Sequence, residues 1–105
     1  MSLADAFREE WTAWIDKFSA DNRELNGSLV VIGSKGAVHV VAEGLPFNGL
    51  SADWKDGENT VIISLGDLNH MVNDVVELDL EETDALPAAV RVRSADGSTS
   101  LLHLS

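Results

Sequence analysis

Cysteine is absent from the 105 residues, which excludes disulfides, thiolate metal sites and a cysteine nucleophile. Tyrosine is absent as well, and with it one general acid. Cations are scarce: seven lysines and arginines stand against eighteen acids, a formal charge of -11. Phosphate backbones are held by cations, so nucleic-acid binding falls outside the expected range, and anionic membrane surfaces are disfavoured by the same reasoning. No apolar run approaches the ~20 residues that a helix needs to span a bilayer. The opening "MSLADAFREE" has neither the basic nor the apolar region of a secretory leader. The expectation is one cytoplasmic domain over residues 1–105 without a cofactor. Its acidity serves solubility or meets a basic protein.

What is present begins with a helical stripe. Leu3, Phe7, Trp11, Trp14 and Phe18 recur at intervals of four and three, with Ile15 beside them, as the apolar face of a helix does. Ser2 is placed as its N-cap, with Asp5 three positions on. This predicts an amphipathic helix over about residues 3–19 that docks on a sheet through its aromatics. "SADNRELNG" ends it, with Asn26-Gly27 as a turn.

Beyond that point the period becomes two. "SLVVIG" and "AVHVVAE" read as a hairpin about "SKG", with Val38, Val40 and Ala42 on one face. "GLPFNGLSADW" reads as a corner and a short strand near residues 50–54, and "TVIISL" as a core strand. "VVELDL" places Val76, Leu78 and Leu80 inward, "EETDALP" is an acidic loop, and "AAVRVRS" with "TSLLHL" forms a last hairpin. Loops this short favour antiparallel neighbours. The fold class is α+β: one helix packed on an antiparallel sheet of about six strands over residues 28–104, open to curling toward a barrel.

Chemistry is thinly signalled. "GSKG" at 33–36 lies between strands rather than before a helix, and no G-x-S-x-G or H-E-x-x-H occurs. "DWKDGEN" has Asp53 and Asp56 three apart, which is not calcium spacing. His39 and His103 fall in strands, where histidine packs or faces water. His70, in "GDLNHMVND", lies in a polar turn near Asp67 and Asp74. A carboxylate there can orient an imidazole for general-base work; the plainer reading is a histidine that holds its turn together. Arg91 and Arg93 share one strand face, as an anion site would require. Glu77 and Asp79 have the spacing to neutralise them across a strand pair.

The pieces "EEWTAWIDKFS", "AEGLPFNGLSAD", "GDLNHMVNDVVEL" and "VRSADGSTSLLHL", in this order, resemble a bacterial family of small acidic proteins known only as a domain of unknown function. The likeness spans nearly the whole chain. The family's leucine-proline pair with a following glycine and aspartate corresponds to Leu45, Pro46, Gly49 and Asp53. Its aspartate and histidine correspond to Asp67 and His70, while Asn73-Asp74 stands where the family has proline. The resemblance implies the fold and singles out His70, and it implies no reaction, cofactor or partner.

The leading expectation is a non-enzymatic protein-binding or accessory module that uses a sheet face, an edge strand or an acidic loop. Its partner is another protein or a second copy. The alternative is a small enzyme or ligand-binding protein that uses His70 with Asp67 or Asp53. Asp53, His70, Arg91 and Arg93 are its candidate binding residues. Nucleic-acid mimicry would need the acids in a row along one face, and here they are scattered along the chain.

Overall fold

The structure is a computed structural model that describes residues 8–53, 59–83 and 86–105, with the side chains of 8–11, 80–83 and 86–88 left aside. Helix α1 (Arg8–Asp21) is followed by seven strands: β1 (Asn26–Ile32), β2 (Val38–Asp53), β3 (Thr60–Leu65), β4 (Leu68–Val72), β5 (Val75–Thr83), β6 (Leu86–Ser94) and β7 (Thr99–Leu104). All pairings are antiparallel. The strand order is β4-β3-β2-β1-β7-β6-β5.

That order forces the sheet to roll. β4 and β5 occupy opposite edges, yet only Asn73 and Asp74 separate them in sequence. Six inter-strand spacings in a flat sheet amount to about 29 Å, whereas the chain from residue 72 to 75 reaches about 11 Å. The sheet therefore curls into a half-barrel. Backbone bonds fasten the seam: Val75 N–H donates to Asn59 O (2.9 Å) and Ala95 N–H to Asp74 O (2.8 Å). Asp74 takes a positive φ of 52° there, a conformation that aspartate tolerates better than most residues.

The second corner lies in β2, a single strand of 16 residues where the sequence pattern suggested two strands and a corner. Its first part pairs with β1 and its second part with β3. Register shifts opposite Leu29–Val30 and between Phe47 and Gly49 mark β-bulges, which bend and twist a strand without breaking it. Bulges also correct the expected faces. The one at Val41 turns Ala42 inward while Val38 and Val40 stay out, at 62% and 59% exposure. Another between Val75 and Glu77 buries Val75 to 1% and leaves Val76 at 43%, the reverse of simple alternation.

Three further expectations change. The sheet has seven strands rather than about six, because "LNHMV" is itself a strand after the two-residue turn Gly66-Asp67. Asn26 and Gly27 belong to β1 rather than to a turn. Residues 81–83 and 86–87 of the expected acidic loop extend β5 and β6. The turn "DWKDGEN" falls mostly outside the described residues, as do Leu3 and Phe7 and the side chain of Trp11.

Two hairpins share one construction. Gly33 N–H donates to Ala37 O and Gly36 N–H to Gly33 O. In the same way Ser94 N–H donates to Ser98 O and Gly97 N–H to Ser94 O. Each loop closes on a glycine of positive φ, Gly36 at 88° and Gly97 at 92°, as three-residue hairpins do. The core fills the concave face with Leu29, Phe47, Ile63, Leu65, Leu78 and Leu102, all buried. Helix α1 inserts Ile15 and Phe18 into it. The Phe18 ring stacks on Trp14 (centroids 5.6 Å apart) and meets Phe47 edge-on at 6.0 Å. Each such burial stabilises by roughly 1.5–3 kcal/mol.

Ser19 docks the helix on β2: its Oγ donates to Ile15 O (2.8 Å) and accepts from Leu50 N–H (2.8 Å). Removing a buried acceptor strands its donor at about 1–3 kcal/mol; Ser19→Ala should lower the unfolding free energy by that amount in denaturant titration. Gly27 lies where a Cβ would come within 2.5 Å of Leu65 Cδ2 and 3.2 Å of the Leu102 and Leu104 methyls. Gly27→Ala should therefore destabilise by about 1–3 kcal/mol through overpacking, read from the same titration.

Candidate functional site

His70 stands on β4, not in a turn, and pairs with Ile63 of β3. Alternation along β4 directs Leu68, His70 and Val72 to the concave side, while Asn69 and Met71 face water. Across the half-barrel, β7 turns Ser100, Leu102 and Leu104 inward. His70 Nε2 and Ser100 Oγ lie 3.3 Å apart. They border a cleft of about 370 Å³ that is also lined by Val31, Asn73, Asp74 and Asp96.

Several polar groups of this cleft are engaged with one another. Ser94 Oγ donates to Asn73 O at 2.7 Å. Asp96 Oδ1 accepts from Ser98 Oγ (2.6 Å) and Ser98 N–H (2.7 Å), and these bonds hold the Asp96 carboxyl below the usual carboxylate range. Burial lowers the pKa of His70 from its ordinary 6.5, so the imidazole is neutral at pH 7. A neutral imidazole beside a hydroxyl is the beginning of a nucleophile relay. The relay is incomplete among the described residues, where no carboxylate is hydrogen-bonded to His70. Ser100 is only 4% exposed. The contact links β4 to β7 across the barrel.

The other singled-out residues lie elsewhere. Asp67 is exposed in the β3–β4 turn, and Asp53 ends β2 opposite Thr60; neither is among the residues lining the His70 cleft. Arg91 and Arg93 project from the convex face of β6. Arg91 Nη2 donates to Glu77 Oε1 at 3.2 Å and also to Asp79 Oδ2, and Arg93 lies 3.9 Å from Glu77. The Arg91 hydrogen bond holds the Asp79 carboxyl below its ordinary value. Both arginines are thus turned toward acids of β5, the arrangement suggested by their matching spacing. Among the described residues no group of three or more histidines and carboxylates gathers as a metal ion would require, and no helix is long and apolar enough to cross a membrane.

One feature escaped the sequence reading. Residues 38–41 of β2 are exposed on both faces. β1 pairs with them on one side, and among the described residues no strand pairs on the other, since β3 takes only residues 47–53. Hydrogen-bond parity fixes which groups are free. The Gly33–Ala37 bond points residue 37 at β1, so His39 also faces β1 while Val38 and Val40 present N–H and C=O outward. The paired valines Val40-Val41, which break strict alternation, were the signal in the sequence.

The molecule is thus a helix-docked antiparallel half-barrel with a polar cleft at His70 and, among the described residues, an apolar stretch of β2 that no strand covers on its outer side. The chain belongs to a family of unknown function, DUF5335, whose profile it matches over residues 4–105. No curated protein and no solved structure matches it.

The lowered pKa of His70 has a defined consequence. The unfolded chain binds the proton more readily than the native one, so stability falls as pH drops below about 6.5 and levels off below the native pKa. His70→Gln should remove this component. Asp79 acts in a separate window, being a depressed carboxylate whose contribution is lost on acidification below about 4. Chemical denaturation between pH 5 and 7.5 should show a steeper decline for the wild type than for His70→Gln.

Proposed function

We propose that this domain is a non-enzymatic protein-binding module that accepts an extended strand of its partner along the free edge of β2. The observation that carries the reading is the exposure of Val38 and Val40 together with their unpaired backbone groups. A bare apolar edge is a template for another strand, and strand addition is a common mode of peptide recognition. Beside it, Val30 and Ile32 of β1 pair with Val40 and Val38 and so share the convex face, which makes an apolar strip. In the His70 cleft, Ser94 and Ser98 bond to Asn73 and Asp96 and His70 meets Ser100, which supports a structural task for that region. Its lack of cysteine and formal charge of -11 suit work in the bacterial cytoplasm.

Proline at position 40 tests the reading. Val40 N–H points away from β1 and toward no strand among the described residues, so Val40→Pro leaves the β1 ladder intact and blocks only the edge. Protein captured from a lysate of the source organism should be lost with Val40→Pro and retained with His70→Gln, both variants having been checked for folding. Capture that survives Val40→Pro, or that fails only with His70→Gln, would overturn the edge as the binding surface.

A further inference from the structure

We infer that the strand taken up by this edge is the same edge of a second copy, forming a twofold dimer in which β2 pairs antiparallel with β2 about His39. The inference rests on the strand-addition reading and names its partner. Only residues facing outward can exchange hydrogen bonds, and these are Val38 and Val40. Placing the axis at His39 sets Val38 of one copy opposite Val40 of the other, twice over, with each pair exchanging two bonds. The two His39 side chains then meet at a non-hydrogen-bonded position.

Charge selects this register among those that parity allows. It brings Lys35, in the hairpin loop before β2, toward Glu43 of the other copy, and symmetry repeats the contact at the far end. Both side chains are exposed, and neither has a salt-bridge partner among the described residues. Shifting the axis by one residue in either direction moves the pair out of opposition. On the convex face the same register joins Val38 and Val40 of both copies, flanked by Val30 and Ile32 of each β1. The bulge at Val41 confines regular pairing to residues 38–40. The shared surface therefore falls well short of the ~1,200 Å² of a stable interface, and the dimer forms only at high concentration, from roughly tens of micromolar upward.

Each copy carries a formal charge of -11, so long-range repulsion opposes association and salt relieves it. This sign differs from that of a basic heterologous partner, which salt would release.

The test is sedimentation of the full chain at rising concentration and at two salt levels. The mass should climb from 11.3 kDa toward twice that value, more readily in high salt, and Val40→Pro should abolish the rise. Glu43→Lys should weaken association roughly three- to tenfold even though it lowers the net charge, and Lys35→Glu combined with Glu43→Lys should restore it. In a non-hydrogen-bonded antiparallel pair the Cα atoms are about 4.5 Å apart, within disulfide range. The chain has no cysteine of its own, so oxidised His39→Cys should give a covalent dimer while Asp16→Cys on α1 remains a monomer. A mass fixed at 11.3 kDa up to ~1 mM, or a dimer strengthened by Glu43→Lys, would overturn the inference. A monomer that still captures another protein in a Val40→Pro-sensitive way would sink the dimer and leave the strand-addition reading standing.

Discussion

The two-residue link between β4 and β5 is the constraint on which the architecture depends. It joins the opposite edges of a seven-stranded sheet, and no flat arrangement satisfies it. Once the sheet has rolled, a concave face exists for Ile15 and Phe18 of α1 to enter. Inward positions on β4 and β7 then confront each other across the interior. The His70–Ser100 contact follows from that closure. It joins strands that are distant in the sheet order, and it makes use of a histidine that burial keeps neutral.

Rolling also decides which edges are left bare. The second half of β2 has its open side covered, where Leu50 bonds to Ser19 of α1 and Phe47 N–H to Leu25 O. Among the described residues the first half has no equivalent, because β3 turns away at Gly66, whose N–H bonds to Pro46 O. One strand therefore carries a protected half and an exposed half. Edge strands in folded proteins are blunted by charges or bulges; here the Val41 bulge and Glu43 limit the exposed stretch without covering it. The apolar strip beside it has the composition of a contact surface rather than of a solvated face.

Much of this was legible in the sequence, and the failures share a cause. The aromatic stripe named the helix, and period-two runs named most strands, because each signal is local and repeats. The pairing of Arg91 with Glu77 and Asp79 followed from matching spacing on neighbouring strands. Bulges were invisible: a single added residue at Val41 or Val76 reverses the faces that follow, and no local pattern announces it. β4 was missed because five residues with Asn69 and His70 among them resemble a polar turn. The closeness of Ser100 to His70, thirty positions apart, depends on the curl, which comes from strand order rather than from any local pattern. Ser100 did leave a trace, as the one polar residue in phase with Leu102 and Leu104.

The central claim is that β2 residues 38–40 are paired on one side only. Residue-resolved amide hydrogen exchange on dilute protein tests it most directly. His39, whose N–H faces β1, should exchange slowly, while Val38 and Val40 on either side should exchange orders of magnitude faster, close to the rate of an open chain. Equal protection at all three positions in the dilute monomer would show that the edge is already covered, and would contradict the account.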